Sequence, residues 1–473
     1  MTAGKIFALP RKRTLRQLLT YALIAMALYL VLGALLPLLR HRGVSGEFAA
    51  SFSPADCRSE TFGGERVQLI DDNTDALLWR LRLIDGAQEE ILYSTMDFRD
   101  DESGRDVLSA LYAAAERGVQ VRLVVDGLTS PRRLARSGFY AALAAHPNAQ
   151  VRAYNRLDPL RPWRANMRLH DKYLICDHKA FLLGGRNTND LFLGEYDGRK
   201  NQDLELLVCR DEGAEGGSLS QLREYFSAVW ALDCTRPFRA RVEQTAPREI
   251  GERMISLERR YPDAYDGRDW REDTLPANRV TLLSNPIQPE SKEPRLWYSL
   301  CALMAEGERV TVETPYLICG RAMYAELAQV CRDTQVEMIT NAVETGANPW
   351  GCADYLNQRG RILRTGVTVY EAQGERSRHS KCVLIDGEIA VVGSFNMDMR
   401  SAYLDTELML AVDCPALCGQ LAQDAERAKA ASRAVTAEGV TVGENFPDAP
   451  YPLPKRALYG LLRVLILPAR SAL

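Results

Sequence analysis

The sequence predicts an α/β protein made of two α/β sandwich lobes related by pseudo-twofold symmetry and preceded by a transmembrane helix. Three observations carry this reading. A segment that opens His170-Asp-Lys-Tyr-Leu-Ile-Cys-Asp177 and continues to Phe181-Leu-Leu-Gly-Gly-Arg-Asn187 is repeated in plan by His379-Ser-Lys-Cys-Val-Leu-Ile-Asp386 and Ile389-Ala-Val-Val-Gly-Ser-Phe-Asn396, with identical offsets from each His. Helical and strand patterns alternate in the same order ahead of each copy, as strands covered by helices should. Residues 18–39 carry no charge and match the ~20 residues that cross a bilayer.

The uncharged run comes first. Lys5, Arg11, Lys12, Arg13 and Arg16 precede it and only Arg40 and Arg42 follow closely, so the excess of basic charge favours a cytoplasmic N-terminus in the cell membrane with the lobes outside. A cleaved signal peptide is the rival reading, but its apolar core would be about 7 to 15 residues long. Position and flanks disfavour a buried core helix. The expected division is an anchor over 1–45, a linker over 46–65, a first lobe over 66–240, a connector over 241–278, a second lobe over 279–430 and a tail over 431–473.

In the first lobe the pattern gives a helix around 76–84, a strand over 90–98, a helix over 104–118 and a strand over 119–125. The second lobe repeats this with a helix over 296–305, a strand over 308–316, a helix over 321–333 and a strand over 336–340. The connector is charged and rich in turn formers such as Tyr261-Pro-Asp and Tyr265-Asp-Gly. Residues 155–168 mix arginines with Trp163 and prolines, which suits either a headgroup or interface contact or a solvated loop, and Arg376-Ser-Arg378 carries the same two readings. After a hinge at 447–454, residues 455–468 are apolar with basic flanks and too short to span. They suit a helix lying on a membrane surface or a plain packing helix.

The repeated motif has a physical sense as a strand. Side chains two apart share a face, so His170 and Lys172 point one way, as do His379 and Lys381. Asp386-Gly387 signals a hairpin, with Asp177-His178 in the equivalent place. The returning strand should bring Asn187 and Asn396 back beside the histidines. Gly184, Gly185 and Gly393 leave space where a ligand or another backbone must come close. Further on, each copy is followed by a matched strand, Asp203-Leu-Glu-Leu-Leu-Val208 and Glu407-Leu-Met-Leu-Ala-Val412. A carboxylate fixes an imidazole's tautomer by accepting from its second nitrogen, and Asp203 and Glu407 are the candidates.

With two H-x-K-x-x-x-x-D motifs, the sequence resembles the phospholipase D superfamily. Gly393-Ser-Phe-Asn-Met-Asp398-Met-Arg400-Ser401, Asp405-Thr-Glu407 and Gly184-Gly-Arg-Asn187 look like the bacterial cardiolipin synthases, over roughly residues 66–430. The resemblance implies a phosphatidyltransferase that moves a phosphatidyl group from one phospholipid to the hydroxyl of another through a phosphohistidine. It favours His170 as nucleophile and His379 as acid and base. Lys172, Lys381, Asn187 and Asn396 would hold the non-bridging oxygens. Asp177, Asp386, Gly185 and Ser394 would support the motifs from behind. Implied partners are the membrane and phospholipid substrates, with phosphatidylglycerol first and phosphatidylethanolamine second.

Other classes are weighed by composition. A hydrolytic phospholipase D would use water as acceptor, and a nuclease of the superfamily would cleave nucleic acid with the same residues. The anchor and a net charge of −3 argue against a general polyanion-binding surface, although they leave room for a local basic groove; no nucleic-acid partner is expected. The eleven cysteines show no zinc spacing, and no Gly-rich phosphate or dinucleotide loop occurs. The chemistry is therefore expected to need no cofactor and no metal. Cys57 and Cys234 border the first lobe and would suit a disulfide in an oxidising compartment.

Overall fold

Each lobe of the computed structural model is organised around the hairpin of its motif. Residues 12–39, 41–242, 245–447 and 451–472 are described; Lys5, Arg11 and Arg40 of the expected flanks, and 448–450 of the expected hinge, lie outside them. In the first lobe Tyr173–Cys176 pairs antiparallel with Ala180–Gly184, and in the second Cys382–Ile385 pairs with Ile389–Gly393. The turns place Asp177 at φ 54° and Asp386 at φ 51°, a left-handed backbone that Asp tolerates better than branched residues do.

Both hairpins sit inside nine-stranded sheets. One side of the first hairpin is flanked by Glu205–Arg210 and then Glu65–Ile70. The other side carries Glu90–Thr95, Gln120–Asp126, Ala149–Tyr154 and Thr235–Pro237. The second sheet repeats this with Leu408–Asp413 and Arg279–Ser284 on one side, and Arg309–Glu313, Gln335–Asn341, Thr368–Ala372 and Ser432–Val435 on the other. The ninth strands break the symmetry. Leu275–Ala277, from the connector, extends the first sheet at one edge, and Val440–Val442 extends the second at the opposite edge. Ahead of Leu275–Ala277 the connector forms the helix Pro247–Arg260, whose Arg253 pairs with Glu102 and Asp106 of the helix Glu102–Glu116.

Strand alternation decides which core each side chain enters. Leu174, Cys176 and Leu182 face the helices Asn73–Gly86 and Glu102–Glu116 in the outer core of the first lobe. Val383, Ile385, Ile389 and Val391 do the same in the second. The opposite faces meet: Tyr173, Ile175, Phe181, Leu183, Leu206 and Val208 share one apolar core with Cys382, Leu384, Ala390, Val392, Leu408 and Leu410. The helices Gly217–Ala231 and Pro415–Ala430 contribute Leu222, Phe226, Leu417 and Leu421 to that middle layer. Because every strand residue here is buried on one face or the other, the motif strands read as continuous apolar runs.

The N-terminal helix Lys12–Leu39 stands largely clear of the lobes. Its apolar part, Leu15–Leu39, is long enough to span a membrane and is only 6% buried against protein. Leu38 alone enters the second lobe's core. The C-terminal helix Leu453–Leu465 buries Tyr459 and Leu462 and leaves Leu458, Leu461, Val464 and Leu465 exposed. All eleven cysteines are free thiols. The expected Cys57–Cys234 disulfide is absent: Cys57 is buried with the second lobe's core, whereas Cys234 packs at the edge of the shared middle layer.

Candidate active site

The two motifs meet because the backbone just ahead of each histidine pairs with the other lobe. Ser377–Arg378 runs parallel to Asn201–Gln202, and Leu169 bridges in parallel to Thr406. These contacts are counterparts under the pseudo-twofold. Each sets the start of one motif beside the residue that precedes the other lobe's carboxylate, Asp203 after Gln202 and Glu407 after Thr406. His379 N–H donates to Gln202 O at 2.7 Å, and His170 N–H to Thr406 Oγ1 at 3.1 Å.

Each imidazole therefore meets a carboxylate across the seam. His379 Nδ1 lies 2.6 Å from Asp203 Oδ2. His170 Nδ1 lies 2.8 Å from Glu407 Oε1, close enough for an ion pair but outside hydrogen-bond alignment. Lys172 Nζ donates to His170 O, and Lys381 Nζ lies 2.7 Å from His379 Nδ1. Both carboxylates and both lysines are buried.

The two halves differ in what stands behind the carboxylate. Gly185 abuts Asp203 so closely that a Cβ there would fall 2.4 Å from Oδ1. At the equivalent place Ser394 Oγ donates to Glu407 Oε2 at 2.5 Å. Electrostatics follow the same split. Burial raises Glu407 to about 7 despite Lys172 and Ser394. At Asp203 burial is outweighed by Lys381 and His379, which draw it below the usual carboxylate value. Burial and then Lys381 lower His379 to about 4 against the pull of Asp203. Burial and Lys172 push His170 well below 6.5. Burial also lowers Lys172 to about 7 and Lys381 to about 8.

The remaining sequence candidates fall into two groups. Asn187 Oδ1 accepts from Asp97 N–H at 3.2 Å, and Asn396 is buried with its N–H on Ser401 Oγ and its Oδ1 without a protein partner. Asp177 and Asp386 lie at the far ends of the hairpins. Asp177 accepts from Glu89 and Glu90 N–H at 2.8 and 3.0 Å, and Asp386 from Glu308 and Arg309 N–H at 3.0 and 2.8 Å. Each thus ties its turn to the start of the adjacent antiparallel strand.

Several neighbours of the site escaped the sequence reading. Asp171 is buried, accepts from Tyr225 Oη at 2.9 Å, and is raised by burial to about 7. Phe192 and Tyr316 place ring centroids 5.0 and 6.4 Å from that of His379. Arg400 ties Asp405 to the carbonyl of Asn166 and to that of Ala472 near the C-terminus. Asp171, Tyr316, Arg400, Asp405 and Thr406 stood in stretches already singled out, but nothing in the sequence says that Thr406 reaches across to His170. Arg378 is no free headgroup contact: it is held by Glu313 and Asp424 at 2.7 and 2.5 Å, a buried cation that needs both.

Two duplicated α/β lobes that pool two His-Lys pairs in one buried seam define an enzyme of the phospholipase D superfamily. A family model described as cardiolipin synthase, PLD-like domain matches residues 81–230 and 300–429. The chain belongs to that family, and is a phosphatidyltransferase of the superfamily. It is 28% identical over 394 residues to cardiolipin synthase C of Escherichia coli, covering 74% of this chain and 81% of that protein. It is 25% identical over 379 residues to cardiolipin synthase A of Erwinia tasmaniensis, covering 79% and 71%. The crystal structure of a phosphatidylserine synthase from Haemophilus influenzae superposes with a TM-score of 0.59 at 15% identity, covering 86% of this chain and 95% of that one, a likeness of fold.

Proposed function

We propose that the protein makes cardiolipin-type lipids at the membrane, moving a phosphatidyl group from one phospholipid, phosphatidylglycerol first, to the hydroxyl of a second. The observation that carries this is the reciprocal seam, in which each imidazole is backed by the opposite lobe's carboxylate. With Nδ1 of His170 turned to Glu407, Nε2 is the atom free to attack phosphorus. A Glu407 near neutrality leaves that imidazole uncharged, as a nucleophile must be. The charged Asp203 instead favours a proton on His379, and the phosphodiester anion arriving between Lys172 and Lys381 adds to that pull.

Nε2 of His170 bonds to phosphorus while the bond to the leaving alkoxide breaks, and that oxygen takes the proton from His379. The incoming hydroxyl returns a proton to His379, bonds to phosphorus and frees His170. Lys172, Lys381 and the amides of Asn187 and Asn396 are assigned to the non-bridging oxygens. The apolar helix Leu15–Leu39 is read as a membrane span with the N-terminus cytoplasmic and the lobes outside, and the exposed apolar stripe of Leu453–Leu465 as a surface contact.

The test is to quench wild type, His170→Ala and His379→Ala after adding labelled phospholipid, and to identify products by mass spectrometry. An acid-labile phosphohistidine in wild type, absent from His170→Ala, with a cardiolipin-type product, supports the reading. A product formed only with water would assign hydrolysis instead, and turnover persisting in His170→Ala would remove that nucleophile.

A further inference from the structure

The segment 156–165 that leads into the first motif lies against the apolar helix. Tyr29 Oη donates to Leu160 O at 2.8 Å, and Asn166 Nδ2 to Ala34 O at 2.8 Å. Pro162 approaches Gly33 so closely that a Cβ at residue 33 would fall 2.4 Å from its Cγ. The apolar stretch is 25 residues long, about 37 Å at 1.5 Å per residue, against a hydrocarbon core of about 30 Å. The contacts at Gly33 and Ala34, about 8–9 Å from the outer end of the stretch, therefore lie within a turn or two of the membrane boundary. There the segment exposes Leu157 (53%), Leu160 (79%) and Trp163 (39%), and Trp is a residue type that settles at that depth.

Beside these apolar tips opens a cleft of about 390 Å³ walled by Arg132, Arg136, Arg156 and Arg241, with Leu157 at its rim. No acidic residue lines it, and among the described residues none of the four arginines has a carboxylate partner, nor do Arg161 and Arg164 of the same segment. The neighbouring acids are engaged elsewhere: Asp97 with Arg99 and Arg133, Asp100 with Arg105, and Asp158 with Leu160 N–H. A chain of near-neutral net charge has thus gathered unpaired guanidinium groups at one place, immediately behind hydrophobic side chains at membrane level. Guanidinium forks match phosphate oxygens.

We propose that this cleft holds the phosphate of an anionic membrane phospholipid while Leu157, Leu160 and Trp163 enter the bilayer beside the apolar helix. The inference rests on the membrane-spanning reading of Leu15–Leu39. It adds a lipid site distinct from the His170–His379 seam, on the segment that runs straight into His170, so a bound lipid fixes the height of the motif above the bilayer.

The test uses the full chain with His170→Ala, so that lipids are not consumed, in vesicles of equal phosphatidylglycerol and phosphatidylcholine. A photoreactive benzoylphenylalanine is placed at Leu160 or, as control, at Leu23. Both positions are expected to crosslink lipid. From Leu160, phosphatidylglycerol should be recovered at least roughly fivefold over phosphatidylcholine, and the variant R132Q/R136Q/R156Q/R241Q should bring the ratio near one. No lipid at Leu23 would sink the membrane reading itself. Lipid at Leu23 but none at Leu160 would overturn the inference while leaving that reading intact. Lipid at Leu160 with no preference, or a preference that survives the four substitutions, would overturn the arginine site.

Discussion

Asp203 and Glu407 hold equivalent places and sit in unlike surroundings, and their substitutions are expected to differ accordingly. Asp203→Asn removes a charge that is present at every working pH and leaves His379 without its acceptor. Turnover should fall on the order of 10³-fold. Glu407→Gln mimics a carboxyl that is already largely protonated below its value of about 7, so it should cost little at pH 6 and progressively more above pH 7; a loss equal at both would refute the asymmetry. The pH profile carries a second test. Lys172 and Lys381 titrate near 7 and 8, and their positive charges disappear as pH rises, which gives kcat/KM an alkaline limb between those values. Protonating His170, which burial and Lys172 hold well below the 6.5 of an ordinary imidazole, removes the nucleophile and sets the acid limb below that value. Lys381→Arg, whose charge persists, should move the alkaline limb upward in whatever activity remains. At this scale the repeat picks out the histidines, lysines and both carboxylates that the fold gathers at one seam. It could not show that the carboxylates cross over, because periodicity ranks the faces of one strand and is silent on which lobe a face meets.

The hairpins are where sequence and structure agree most closely, since an apolar run between a left-handed Asp turn and a Gly-rich end permits little else. Strand ends were less legible. Asp203 and Glu407 were read as first residues of their strands, yet they stand before Glu205–Arg210 and Leu408–Asp413, where freedom from the ladder lets them reach the opposite histidine. The connector was read only as charged and rich in turn formers, yet it forms the helix Pro247–Arg260 and a strand, Leu275–Ala277, whose three residues are too few to show a pattern. Two outcomes are expected of these elements. Leu410→Ala, in the middle layer shared by both sheets, should cost about 2–5 kcal/mol by denaturant unfolding, and destabilise the lobes together. Gly185→Ala should leave stability nearer wild type but reduce turnover sharply, because its Cβ would displace the Asp203 carboxylate. Unchanged kcat in Gly185→Ala would show that Asp203 tolerates movement.

For the molecule as a whole, the pseudo-twofold and the long apolar N-terminal helix were both visible in one reading of the chain, the first through repeated offsets and the second through absence of charge. The disulfide expectation failed because sequence proximity to a lobe edge says nothing about which core a thiol enters. The arginine cleft was also out of reach, since Arg132, Arg136, Arg156 and Arg241 are scattered and only the fold gathers them. Orientation is testable directly: protease added to cells with an opened envelope and a sealed inner membrane should digest the lobes, and full protection would reverse the topology. The reciprocal seam has a last consequence, for the birth of the protein. While the first lobe has emerged from the ribosome and the second has not, His170 lacks Glu407, Thr406 and its partner imidazole. On the proposed mechanism a nascent or prematurely terminated chain is therefore expected to be inert toward phospholipids, with activity beginning only when translation has run past Glu407, so the gene's far end acts as the safety catch on its middle.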